Sequence, residues 1–444
     1  MGRRFADPDD IRARFSRAMS DMYRAEVPQY GTLVALVDQA NRDALERDPG
    51  LAEAMRQSGD LDRLAGERHG AIRLGTAAEL TLAARAFAVM GMAPVGYYDL
   101  ASAGVPVHST AFRPIGEAAL ARSPFRVFTS LLRLELIDDP DLRAEAAAIL
   151  DGRRIFTSAA VALIEQAELQ GGLDEKDADR FVAELLETFR WHAQAIVDRD
   201  TYGRLLDAHR LIADVVSFRG PHINHLTPRV LDIDAVQAAM PAQGITPKDV
   251  IEGPPRRACP VLLRQTSFKA LDEPIVFPSA IGEPAPGRHT ARFGEVEQRG
   301  VALTVKGRGL YDALLQARQA GDDRFDELPD DWEKLRSQGL AFFRYRLAQA
   351  CSITGAPGTD IDALIAAGHV VADPIVYEDF LPVSAAGIFQ SNLGDEARSA
   401  YQAQPSRDLF EVALGRAVLD EFALYEAMQA ASLARVQEAL AATS

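Results

Sequence analysis

Three short segments, far apart in the chain, carry side chains suited to holding a metal, and a fold in which they act together must bring all three to one place. Residues 67–76 contain His69, with Arg73 four places on. Residues 220–229 contain His222 and His225, and residues 292–300 contain Glu295 and Glu297. A long stretch of helical periodicity separates the two histidine segments. After it the texture turns to short β-prone runs with Gly and Pro between them. The expected class is therefore α+β: a curved mixed sheet that holds the site, with helices packed around it. The expected division is 1–114, N-terminal helices plus the first candidate segment; 115–212, a helical insertion; and 213–444, a β-rich metal-binding part closed by a C-terminal helix. Together they form one integrated catalytic unit.

Apolar spacing of three and four predicts helices over residues 11–24, 32–45 and 76–90, the last opened by a capping box of Thr76 and Glu79. Residues 97–100 and 105–112 look like strands. Residues 125–136, 140–150, 158–170 and 177–197 have helical spacing, with Asp139 as cap and Pro140 at the first helical position. Residues 215–218, 261–268, 291–298, 301–305, 340–347 and 370–377 are β-prone, and a long helix runs over 407–440.

The chain has 444 residues, enough to bury a sizeable core, and a net charge of -16. Such a surface repels nucleic acid and anionic membranes, so neither is an expected partner. Two cysteines, Cys259 and Cys351, are too few for a disulfide framework or a thiolate cluster. No apolar run is long enough to span a bilayer, and the first residues lack the apolar core of a signal peptide. Ala6 stands where a myristoylation signal needs Ser or Thr. The expected location is cytoplasmic. Zincin, nucleophile-elbow, phosphate-loop and dinucleotide fingerprints are all missing from the sequence.

Of the eight histidines, His192 and His209 sit among charged residues in helical stretches, as surface or capping groups do. His108, His289 and His369 have no neighbouring signal. Pro221 and Pro228 argue against a helix around His222 and His225. In extended chain, residues three apart point to opposite faces, so one of the two reaches a common site. Glu295 and Glu297 point to the same side of a strand. Two inward carboxylates are costly to bury, and a metal dication makes one of them tolerable. Glu295 is chosen as that one, with Glu297 the alternative. Imidazole and carboxylate without thiolate suit Fe(II), Mn(II), Co(II) or Zn(II). Two His and one carboxylate with open positions are the set used by non-haem Fe(II) oxygenases. A Zn or Mn hydrolase or isomerase acting on a small carboxylic acid is the rival class.

Four blocks carry a resemblance: HGAIRLGT from His69, GPHINHLTPRVLDID from Gly220, FGEVEQRGVALT from Phe293 and FLPVSAAGIFQSNLG from Phe380. In this order they resemble the 2-oxoadipate dioxygenase/decarboxylase family, which is related to the vicinal-oxygen-chelate enzymes. The resemblance implies a vicinal-oxygen-chelate-like barrel or partial barrel for the sheet. It implies Fe(II) held by His69, His225 and Glu295, with His222 beside the site. It implies that Arg73 grips the far carboxylate of the substrate, and that Val383 and Ser384 contact the substrate through the backbone. His69 and Arg73 complete the substrate-binding set, and His69, Arg73, His225 and Glu295 the catalytic set. The implied reaction converts 2-oxoadipate and O2 to D-2-hydroxyglutarate and CO2, within lysine breakdown. Gln265, Gln298 and Tyr377 are polar candidates for the lining with no assigned role, and oligomeric state stays open.

Overall fold

The computed structural model describes residues 4–279, 283–348, 360–381 and 406–442. By contacts the chain divides into two units. One comprises Met1–Glu252, Gln265–Glu297 and Phe380–Leu419; the other comprises Gly253–Arg264, Gln298–Asp379 and Asp420–Ser444.

The first unit is built on a five-stranded mixed sheet. Its strands are β1 (Arg68–Leu74), β2 (Met92–Asp99), β3 (Val107–Pro114), β4 (Arg126–Leu132) and β5 (His225–Pro228), in the spatial order β2-β3-β4-β1-β5. β1 runs parallel to β4 and antiparallel to β5, and β3 runs antiparallel to both β2 and β4. The sheet is open, with β2 and β5 at its edges; among the described residues no strands close into a barrel. The α+β class and the mixed sheet are as expected.

Alternation along the strands gives the sheet two different faces. Ile72 and Leu74 of β1, with Val127 and Leu131 of β4, join a core that includes Phe15, Phe87, Ile164 and Phe181 from the surrounding helices. His69, Ala71 and Arg73 project from the opposite face. They lie in register with Arg126, Phe128 and Ser130 of β4. The helix Pro8–Glu26 starts at Pro8, is capped by Asp7, and buries Ile11, Phe15, Met19 and Met22 at helical spacing. Thr76 caps the helix Ala77–Val89 by accepting from the Glu79 amide, as its sequence predicts. The Glu79 carboxylate of that capping box departs from the usual pattern. Glu79 accepts from Gly75 N–H and pairs with Arg153 rather than closing on Thr76.

Residues 125–136 do not form the expected helix; they give β4 and a short 3-10 turn at Leu134–Leu136. Every residue of β4 is buried, so its apolar positions do not alternate, and only pairing with β1 and β3 marks it as a strand. Residues 215–218 are not a strand either. They end the helix Arg210–Val216, which His209 caps through Nδ1. The stretch 177–197 stays helical only to Leu186 before a 3-10 turn, Glu187–Phe189. The expected C-terminal helix is two, Arg407–Leu414 and Glu421–Ala441, divided after Gly415 takes the left-handed φ of 75°.

In the second unit, strands Phe343–Leu347 and Val370–Pro374 pair antiparallel. The helix Glu421–Ala441 meets the edge of the first strand. Gln429 Oε1 accepts from Phe343 N–H at 2.8 Å and Ser432 Oγ from Tyr345 N–H at 3.0 Å, so edge amides are met by helix side chains. No described helix in the chain is long and apolar enough to cross a membrane.

Candidate metal centre

Strand geometry assembles the site. His69 lies on β1, and His225 opens β5 opposite Ala71. Asn224 N–H donates to Ala71 C=O, and Phe293 N–H donates to Asn224 C=O at 3.0 Å. Val230 N–H donates to Glu297 C=O at 2.7 Å. These bonds lay residues 293–297 along β5 and bring Glu295 beside it. Gly294 is required there: a Cβ would sit 2.2 Å from Phe268 Cε1.

One donor atom from each of His69, His225 and Glu295 falls within 4.8 Å of the others. Among the described residues this is the one group of three His, Cys, Asp or Glu so arranged. His225 Nε2 is 3.2 Å and His69 Nε2 3.9 Å from Glu295 Oε2. All three side chains are buried. Thr227 Oγ1 donates to Glu295 Oε2 at 3.4 Å, while Glu295 Oε1 and His225 Nδ1 are buried with no hydrogen-bond partner among the described residues. Burial, reinforced by the charge of Glu297, raises the Glu295 carboxyl well above the usual carboxylate range. Burial, followed by the charges of His69 and Arg73, holds the His225 imidazole well below its ordinary value. A neutral imidazole and a buried carboxylate oxygen without a donor are what a divalent cation takes up, so the residues fit one.

Glu295 and Glu297 share a side of their strand but meet different groups. Glu297 Oε2 lies 3.0 Å from His69 Nδ1. With Nδ1 facing the Glu297 carboxylate, the tautomer protonated at Nδ1 leaves the Nε2 lone pair on the side of Glu295. Behind Glu297, Arg126 Nη1 approaches to 3.9 Å, and Arg126 Nη2 donates to Glu67 Oε1 at 2.7 Å. Glu67 also accepts from Arg63 Nε at 3.2 Å and Arg229 Nη1 at 3.0 Å. Sequence reasoning missed this cluster because its members are charged residues in separate segments with no shared spacing. We expect Glu297→Gln to keep the fold but weaken divalent-metal affinity about 10–100-fold. Metal titration of the purified apoprotein, with circular dichroism to verify the fold, checks this.

Aromatic rings close over the imidazoles. Phe380 stands edge-on to His69 at 4.9 Å and packs on Phe128 at 5.1 Å, and Phe293 lies 4.8 Å from His225. The backbone N–H of Phe380 donates to Tyr98 Oη. Val383 and Ser384 lie outside the described residues, as does Cys351. Arg73 is 1% exposed, on the same face of β1 as His69, and its Nη1 donates to Asp214 Oδ2 at 2.6 Å. His222 points away from the three-residue group, with Nε2 at 3.2 Å from Asp214. The remaining polar candidates make the following bonds. Gln265 exchanges backbone bonds with Glu252, Gln298 accepts from Arg264, and Tyr377 N–H donates to Gly300 C=O.

Two imidazoles from a mixed sheet and a carboxylate from the segment beside it, meeting at one buried point, have the arrangement of the non-haem metal oxygenase class. The family described as 2-oxoadipate dioxygenase/decarboxylase matches residues 15–392. A Pseudomonas putida protein of that name is 58% identical, over 98% of each chain. An Escherichia coli protein of the same name is 59% identical over 94% of this chain and 96% of its own. The crystal structure of Pseudomonas putida hydroxyglutarate synthase in complex with 2-oxoadipate superposes with a TM-score of 0.90 at 56% identity, covering 98% of this chain and 99% of the other. The chain belongs to the 2-oxoadipate dioxygenase/decarboxylase family.

Proposed function

We propose that this chain is an Fe(II)-dependent dioxygenase/decarboxylase that converts 2-oxoadipate and O2 to D-2-hydroxyglutarate and CO2. The observation that carries the proposal is the convergence of His69, His225 and Glu295 on one buried point, with Glu295 Oε1 lacking a donor among the described residues. The names of the relatives supply the substrate and the reaction class. The reaction balances without a second reductant. The six-carbon 2-oxo diacid loses the carboxylate next to its keto group as CO2, and both atoms of O2 enter the five-carbon product, one in the new carboxylate and one in the hydroxyl.

His69, His225 and Glu295 would hold the metal. When bound, Fe(II) supplies the one-electron chemistry that lets O2 react with a closed-shell acid. The protein's own groups do the rest. Glu297 holds the His69 ring through Nδ1. Phe380, Phe128 and Phe293 keep water from the reacting end. Arg73 binds the tail carboxylate. His69 and Arg73 are four residues apart on β1, which sets their Cα atoms roughly 13 Å apart. A metal-held head and an arginine-held tail thereby fix the distance between the two carboxylates of the substrate. Val383 and Ser384 join the substrate contacts in this proposal. A cytoplasmic location rests on the sequence reading, and a place in lysine breakdown on the family resemblance.

The test is metal and oxygen dependence. Protein loaded anaerobically with Fe(II) should consume O2 on addition of 2-oxoadipate and release one CO2 per O2. Turnover with Zn(II) under argon would instead support the hydrolase or isomerase class.

A further inference from the structure

We propose that Asp214 is the positioning residue for Arg73, and that the relay Tyr202–His289–Asp214 sets how strictly the site demands a diacid. The proposal rests on the function above, in which Arg73 holds the tail carboxylate.

Asp214 lies on the helix Arg210–Val216 with its side chain 3% exposed. A buried carboxylate is costly unless both oxygens are met. Here Oδ2 accepts from Arg73 Nη1 at 2.6 Å, while Oδ1 lies 2.9 Å from His289 Nε2 and 3.2 Å from His222 Nε2. His289 Nδ1 is in turn 2.8 Å from Tyr202 Oη. The tautomer of His289 sets the direction of this chain. A neutral imidazole has one N–H. With that proton on Nε2, facing Asp214, Nδ1 is an acceptor and the Tyr202 hydroxyl donates to it. The relay runs Tyr202 O–H to His289, His289 N–H to Asp214, and Arg73 N–H to Asp214.

Aromatic packing leaves these groups little room to turn. The Trp191 ring stacks on His289, with 6.2 Å between centroids and 14° between planes, and meets His222 edge-on at 4.8 Å. The Arg292 guanidinium lies over the same Trp191 ring, 4.6 Å from its centroid. Burial raises the Asp214 carboxyl, but His222 and Arg73 outweigh it and hold the group ionised, well below the usual carboxylate range. The elements that supply these side chains are β1, the helices Arg199–Ala208 and Arg210–Val216, and the strand Ala285–Thr290. They converge on one carboxylate whose outermost contact is the substrate-facing arginine. Arginine is long and rotamer-rich, and fixing it beforehand removes the ordering cost from substrate binding. The relay therefore preorganises the tail site, while the metal-binding head site is built from different residues.

The test is anaerobic calorimetry on the Fe(II)-loaded protein with two ligands, 2-oxoadipate and 2-oxohexanoate, a monoacid with the same head and no tail charge. Asp214→Asn preserves shape but removes the charge that fixes Arg73. It should raise the Kd for 2-oxoadipate about 10–100-fold, the range typical of losing a supporting hydrogen-bond partner. The Kd for 2-oxohexanoate should stay within about 2-fold, because independent sites do not couple. Tyr202→Phe, a milder change at the far end, should shift the same ratio in the same direction by less, and it serves if Asp214→Asn does not fold. Added to Arg73→Ala, Asp214→Asn should have almost no further effect on 2-oxoadipate. Equal weakening of both ligands, no weakening of either, or a full additional effect on the Arg73→Ala background overturns the proposal. If Arg73→Ala itself leaves the diacid preference intact, the functional assignment of Arg73 fails and the proposal falls with it; that failure appears in the single Arg73 variant, where a faulty link through Asp214 does not.

Discussion

Glu295→Ala should purify without iron and turn over 2-oxoadipate more than about 100-fold more slowly than the unsubstituted protein, beyond the loss that follows removal of a mere ligand-supporting group. His69→Ala and His225→Ala should do the same. The metal-free proteins should differ in a second respect. Without a cation, Glu295 is a buried carboxylate with one oxygen unpartnered and its charge opposed by burial and by Glu297. Removing such a group relieves a desolvation cost of about 1–3 kcal/mol, set against the small cavity it leaves. Glu295→Ala apoprotein should therefore melt no lower than unsubstituted apoprotein, while losing the rise in Tm that Fe(II) gives. His69→Ala leaves Glu297 buried without its imidazole partner and should melt lower. Metal analysis and thermal unfolding with and without Fe(II) check both statements. Iron and activity retained in Glu295→Ala but lost in Glu297→Ala would reverse the two carboxylates.

The second large effect concerns chain length. With 2-oxoglutarate, one carbon shorter, either Arg73 or the tail carboxylate is left imperfectly paired. A hydrogen bond to a charged group contributes about 1.5–3 kcal/mol, so kcat/KM should fall roughly 10–100-fold or more. A monoacid should be poorer still. Arg73→Ala should lower kcat/KM for 2-oxoadipate by a similar factor and flatten the ranking. The loss should fall on the diacids, because a monoacid offers the Arg73 guanidinium no tail charge to pair with. A ranking of diacid over monoacid that survives Arg73→Ala would move the tail site elsewhere, and Val383 and Ser384 would be the first residues to examine.

Much of this architecture is legible from local chemistry. Thr76 and Asp139 cap their helices by accepting backbone amides, a signal that needs only neighbouring residues. Pro221 and Pro228 show that His225 sits in extended chain, and strand alternation separates it from His222. β4 was not legible. All seven of its residues are buried, so nothing in its pattern distinguishes strand from helix until β1 and β3 pair with it. The same holds for the partners of the site. His289 has no local motif, and Asp214 sits in an apolar run like many helix residues. Their meeting depends on how the helix Arg210–Val216 and the strand Ala285–Thr290 are placed around β1. Glu295 and Glu297 differ only through contacts made by residues far away in sequence, His225 and Thr227 for one and His69 and Arg126 for the other.

Isotope labelling tests the central claim most directly. Fe(II)-loaded protein should be given 2-oxoadipate under 18O2 in unlabelled water, and the 2-hydroxyglutarate formed should be analysed by mass spectrometry. An oxidative decarboxylation that uses O2 as co-substrate places one 18O in the newly formed carboxylate of the product. A new carboxylate that takes its oxygen from water, or carbon dioxide released under argon at the same rate, would contradict the account.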